Sequence, residues 1–122
     1  MIDVVMCIRR KPDVDADEFH RYWLAEHGER VKRAAATIGA VRYVQYHTID
    51  TGLEAIVQES RGGPADRFDG IAVISFLSLD DRAAKGAEPD ALAIAEQLLA
   101  DESAFIDHAT SLIWFTEHHD LL

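Results

Sequence analysis

Six histidines are the side chains in this 122-residue chain whose ordinary pKa lies nearest neutrality. Their spacing separates them by what each can do. His27 belongs to a helical pattern over residues 15–38. At about 100° per residue from Phe19, the positions Phe19, Trp23, Ala34, Ile38, Val31, Leu24 and Ala35 span roughly 0° to 160°. Arg21, Glu29, Lys32 and Glu18 fall roughly between 200° and 280° and form the solvated face. His27 lands near 80°, the middle of the apolar arc. An imidazole there is either a core histidine bonded to a strand or a backbone carbonyl, or a neutral general base beside a cavity. His20 lies about 10.5 Å from His27 along the axis, too far to share a metal, and is expected to make a helix-end contact.

Tyr43, Gln45 and His47 alternate along a second run, 41–49, and share one face of a strand, with Tyr46 on the other. A phenol, an amide and an imidazole in a row suit a pocket wall for an oxygenated compound, or a hydrogen-bonded subunit interface. Glu117, His118, His119 and Asp120 contain the side chains of a metal site. Strand neighbours point to opposite faces, so a solvated or interface-lining strand end is favoured and no metal is expected, although Glu117 and His119 share a side. Asp80–Asp81 and Asp101–Glu102 read as helix caps and solvated turns. The chain has no GxGxxG, Walker, GxSxG, HExxH or EF-hand pattern, and the expected cofactor is none.

Charge narrows the partners. The formal charge is −10: residues 1–50 carry 8 basic and 8 acidic side chains, residues 51–122 carry 4 and 14. Such a surface repels phosphate backbones and anionic lipid, so nucleic acid and membrane are not expected partners. A single cysteine, Cys7, excludes an internal disulfide and a CxxC site. The amino terminus lacks a signal-peptide pattern and no run approaches about 20 apolar residues, so a soluble cytoplasmic protein is expected.

The elements that must position these residues follow from periodicity. A strand over 2–8 is apolar on both faces, with Ile2, Val4, Met6 and Ile8 on one. Asp15 is the N-cap of the helix that follows, with Glu18 placed for a capping box, Val14 and Phe19 as its staple, and Gly39 as the stop. A strand over 41–49, a short helix over 52–60, a strand over 70–78, a helix capped by Ser78 that breaks at Gly86 and Pro89 and resumes over 90–108, and a strand over 111–118 complete the chain. The order predicts one α+β domain over 1–122, a ferredoxin-like β-α-β-β-α-β subunit with both long helices on one face of an antiparallel four-stranded sheet. Strands one and three are too apolar to leave the other face in water, which predicts a homodimer paired through the sheet faces.

Four ordered segments also carry a likeness. FHRYWLAEH (19–27), RYVQYH (42–47), RFDGIAVISF (67–76) and DESAFID with FTEHH (101–107 and 115–119) resemble the first helix, second strand, third strand and last helix and strand of the EthD family. Where relatives commonly have Trp or Tyr before Asp-Gly, this chain has Phe68. The resemblance implies a dimeric α+β barrel without a bound cofactor, and a ligand pocket between sheet and helices. It also implies that His27 is the acid/base residue, and it extends to Tyr43 and Trp23; Tyr43 is the expected catalytic companion, with Trp23, Tyr22, Gln45 and His47 expected against the substrate. Two functions are compatible with it. One is a small enzyme that dehydrates, isomerises or decarboxylates an oxygenated or aromatic small molecule in a catabolic or polyketide-type pathway. The other is a non-catalytic ligand carrier or accessory subunit of a P450-type oxygenase system.

Overall fold

Strand β1 (Ile2–Ile8) lies inside the sheet, between β3 (Gly70–Phe76) and β4 (Leu112–Thr116), and β2 (Arg42–His47) pairs with the far side of β3. The order β2-β3-β1-β4, with every neighbouring pair antiparallel, is the ferredoxin-like arrangement. The computed structural model describes residues 1–64 and 66–122. Among them, no helix is long and apolar enough to cross a membrane.

One continuous helical rod follows β1. It comprises α1 (Ala16–Tyr22), a π-helical turn (Trp23–His27) and α2 (Gly28–Ile38). Asp15 starts it by accepting from the N–H groups of Asp17 and Glu18 at 3.0 and 3.2 Å. Glu18 does not close the expected capping box; its carboxylate is drawn instead to the Arg21 guanidinium at 2.6 Å. Gly39, at φ +82°, ends the rod in the left-handed conformation that glycine adopts without cost. Periodicity places Phe19, Trp23, His27 and Val31 on one apolar arc, and the π turn narrows that arc. Phe19, Trp23, His27 and Val31 are spaced by four, which in a regular α-helix drifts around the axis by about 40° per step. The wide turn absorbs roughly one residue, so all four stay on the buried side.

The helix-facing side of the sheet carries the core. Ile8, Phe19, Trp23, Ala72, Phe105 and Ile106 form one cluster, and Val4, Ala40 and Phe76 a second. The other side is open: Tyr46, Ile71, Leu112 and Trp114 are exposed and in register with half-buried Val5, Val44 and Val73.

The later helices are α3 (Glu54–Glu59), α4 (Leu79–Gly86), capped by Ser78, and α5 (Pro89–Glu102). The expected helix over 90–108 stops at Glu102. Beyond it the chain turns back along the end of β1, where Lys11 N–H donates to Phe105 C=O at 3.0 Å and Asp107 N–H to Arg9 C=O at 2.9 Å. Those bonds, and the burial of Phe105 and Ile106, outweigh continuing the helix through residues 103–108. Strand β4 ends at Thr116, so Glu117–Asp120 lie beyond the sheet ladder instead of within it.

Candidate active site

His27, at the end of the π turn, is 3% exposed. Its Nδ1 lies 2.7 Å from Oδ2 of Asp101, at the end of α5. Asp101 was expected in a solvated turn; it is 8% exposed and also accepts from the Tyr22 hydroxyl and the Arg30 guanidinium. Burial works to raise the Asp101 pKa, but these donors and the nearby charges outweigh it and hold the carboxylate below its ordinary range. A carboxylate only accepts, so Nδ1 of His27 carries the proton and Nε2 the lone pair. Burial lowers the His27 pKa, against the opposing pull of Asp101, and the ring stays neutral near neutrality. Among the described residues, no protein group hydrogen-bonds Nε2.

The ring lines a cavity of about 80 Å³ between the rod, α5 and the sheet, together with Trp23, Tyr43 and Glu102. A groove of about 570 Å³ between α4, α5 and the sheet shares Val4, Met6, Ile74, Leu98, Glu102 and Ile113 with it. Alanines 83, 87, 91 and 95 make room for that groove, and its charged lining residues are Arg82 and Glu102.

Tyr43 enters from β2 and is held by a chain of polar contacts. Gln45 Nε2 donates to Trp23 C=O at 2.8 Å and to the Tyr43 oxygen at 2.7 Å. Since a carbonyl only accepts, this fixes the amide orientation and turns Gln45 Oε1 toward His47 Nε2 at 2.8 Å. His47 Nδ1 then faces His20 Nδ1 at 2.8 Å. Gly28 lets β2 come this close: a Cβ there would sit 3.0 Å from both Gln45 Nε2 and Trp23 O. The Tyr43 oxygen receives the amide proton, so its own O–H remains available to donate; burial raises its pKa and keeps that proton in place.

A hollow of about 460 Å³ near Arg9, Arg10, His20 and Arg67 offers less chemistry. Its arginines are engaged by Asp66, Asp69 and Asp50. The Arg9 guanidinium also lies 4.3 Å over the Phe68 ring, an apolar use of the residue before Asp69–Gly70.

A family model for the EthD domain matches residues 11–109. The chain belongs to the EthD family. No curated protein matches it by sequence. Among solved structures, it resembles an EthD-family protein from Bacillus halodurans at 10% identity and TM-score 0.61, covering 98% of this chain and 100% of that one. A dimeric ferredoxin-like protein of unknown function from Bacteroides fragilis matches at 12% identity and TM-score 0.58, over 96% and 95%. SnoaB, a cofactor-independent oxygenase from Streptomyces nogalater, matches in a mutant form at 16% identity and TM-score 0.54, over 99% and 95%. At such identities these structures support the ferredoxin-like α+β fold.

Within this EthD chain, His27, Trp23 and Tyr43 meet at the small cavity. Gln45 and His47 stand behind Tyr43, and His47 stacks on Trp23 with ring centres 4.4 Å apart. Tyr22 points to Asp101 and Trp23 walls the small cavity, while Gln45 and His47, with Tyr43, also line a separate hollow of about 460 Å³ beside Leu24, Gly28 and Lys32. His20 makes the helix-end contact expected of it, onto His47. At the carboxyl end, Glu117 and His119 are exposed and 4.0 Å apart, while His118 folds back to Asp3 at 2.7 Å. Among the described residues, no group of three His, Cys, Asp or Glu is placed to hold a metal. Asp101 and Glu102 were the residues that sequence reasoning missed, and the apolar periodicity of α5 around them was the only available signal.

Proposed function

We propose that this EthD protein is a small cofactor-independent enzyme of the lyase or isomerase type, acting by proton transfer on an oxygenated, largely apolar compound. The observation that carries the reading is the His27 imidazole, with Nδ1 fixed on Asp101 and an unpartnered Nε2, in the wall of a cavity that also contains Tyr43. His27 removes a proton from the substrate, Asp101 holds the ring in the tautomer that can accept it, and the Tyr43 hydroxyl donates to the substrate oxygen on which negative charge develops. A cavity of about 80 Å³ admits the reacting end alone, and the adjoining apolar groove takes the remainder of the molecule.

The working unit is a homodimer paired through the open sheet face. Trp114 and Leu112, 45% and 54% exposed, are too apolar to serve as a permanent solvent surface. Light scattering at micromolar concentration is expected to give twice the 13.6 kDa chain mass; a monomer mass rejects the dimer.

Thermal shift across phenols, lactones and hydroxyketones identifies a ligand, and turnover is then compared in the wild type and His27→Ala. Retained binding with lost turnover supports the enzyme. Tight binding without turnover in either protein replaces it with a carrier.

A further inference from the structure

Asp101 and Glu102 are adjacent carboxylic acids at the end of α5 with opposite surroundings. Asp101 has three donors, from Tyr22, His27 and Arg30. Glu102 has no side-chain hydrogen bond or ion pair among the described residues, although it is only partly accessible. It is the one ionisable residue that lines both the His27 cavity and the apolar groove, so it marks where the two meet. A carboxyl among Val4, Met6, Leu98 and Ile113 with no partner is costly to keep ionised. A molecule whose apolar part occupies the groove and whose polar end reaches His27 must pass it.

We propose that Glu102 is the general acid of the site, giving its proton to the substrate's departing oxygen while His27 takes one from carbon. The proposal rests on the acid/base reading above and narrows its substrate class to β-hydroxy carbonyl compounds with an apolar end. His27 Nε2 takes the proton on the carbon next to the carbonyl, and the C–H electron pair becomes the enolate, whose oxygen accepts from Tyr43 O–H. The enolate then forms the C=C bond and expels the β-oxygen, which leaves as water with the Glu102 proton. The enzyme is left with an imidazolium and a carboxylate, and a net proton transfer from His27 to Glu102 through solvent restores it. Burial, then the charge of Asp101, raises the Glu102 pKa to about 7, so its carboxyl holds the proton below that pH, while burial lowers the His27 pKa and favours the neutral ring. The other ionisable groups around the pair are Tyr43 from β2, Tyr22 from α1 and Arg30 from α2, both on Asp101, and Arg82 from α4.

Glu102→Gln keeps the size of the side chain and removes the acid; Glu102→Asp keeps the acid and shortens its reach. With the aldol adduct of benzaldehyde and acetone as probe, the wild type is expected to release the conjugated enone, followed by its ultraviolet absorbance. Glu102→Gln should lose on the order of 10²-fold in kcat with KM within about threefold, lose the fall in rate above about pH 7, and leave Glu102→Asp intermediate. A Glu102→Gln enzyme within about threefold of wild type, with that falling limb intact, overturns the role while leaving His27 in place. Infrared difference spectra test it without turnover. A protonated-carboxyl band at pH 6 that is present in the wild type and missing from Glu102→Gln supports the role, and a wild type without that band rejects it. A wild type inert toward the adduct and toward every other hydroxyketone fails independently of residue 102, and rejects the enzymatic reading together with this one.

Discussion

Two histidine–aspartate pairs sit on opposite sides of the same sheet. On the helix side, His27 Nδ1 meets Asp101 at 2.7 Å; on the open side, His118 Nδ1 meets Asp3 at the same distance. Both aspartates are buried, and Asp3 also accepts from the fully buried Ser75 hydroxyl. The histidines differ. The His27 side chain is 4% exposed and lines a cavity, whereas that of His118 is 37% exposed, with its second nitrogen 4.0 Å from the exposed Asp120. A short histidine–carboxylate contact is therefore not what distinguishes a general base. An unpartnered nitrogen on the wall of a volume that substrate can enter is the distinguishing condition.

Replacing each histidine in turn separates the two pairs most directly. His27→Gln should lower turnover about 10²- to 10⁴-fold, and His118→Gln should leave it within about threefold, as read from kcat. Equal losses would remove the distinction. The aspartates sharpen it. Asp101→Asn should lower kcat by about 10²-fold or more through the wrong His27 tautomer, while Asp3→Asn leaves kcat unchanged. Urea denaturation should show both variants destabilised, by about 3 kcal/mol at Asp101 because charged and polar donors are left facing an amide.

A smaller effect concerns pH and separates Asp101 from its neighbour. Glu102 is raised from 4.5 to about 7, so the unfolded chain ionises first. Its contribution is fully present below about pH 4.5 and is lost as pH rises through about 7, a change of up to about 3 kcal/mol. Glu102→Gln should therefore gain on the wild type in urea midpoint between pH 5 and 8. Asp101, held below 3.8, has the opposite sign: its contribution is present above that value and is lost as pH falls through the lower folded value. The smallest predicted change is at Gly28. Gly28→Ala places a methyl 3.0 Å from Gln45 Nε2 and should cost about 1–2 kcal/mol. Loss of ligand affinity through the displaced Tyr43 should accompany it, measured by calorimetry.

Much of the frame was legible. The strand over residues 2–8, the N-cap at Asp15, the stop at Gly39 and the single face shared by Tyr43, Gln45 and His47 were expected, and all four are present. Each depends on contacts within a few residues or on the two-residue strand repeat. The π turn was not legible, because it is stabilised from outside the helix: Trp23 C=O receives both Gly28 N–H and the Gln45 amide from β2. The end of α5 was misread for a similar reason, since residues 103–107 gain their hydrogen bonds from the end of β1.

Sequence by itself determined that an imidazole would lie on the apolar side of the first helix, because helical periodicity is local. It determined equally that a strand would present a phenol, an amide and an imidazole together. Only the tertiary structure decided the partner and surroundings of His27. Its partner lies 74 residues away, and antiparallel packing of α5 against α2 brings that carboxylate to Nδ1. The same packing turns one of two adjacent acids toward donors and leaves the other among apolar side chains. Neighbours in sequence share a backbone but not a dielectric, and the surroundings of each side chain set where its proton resides.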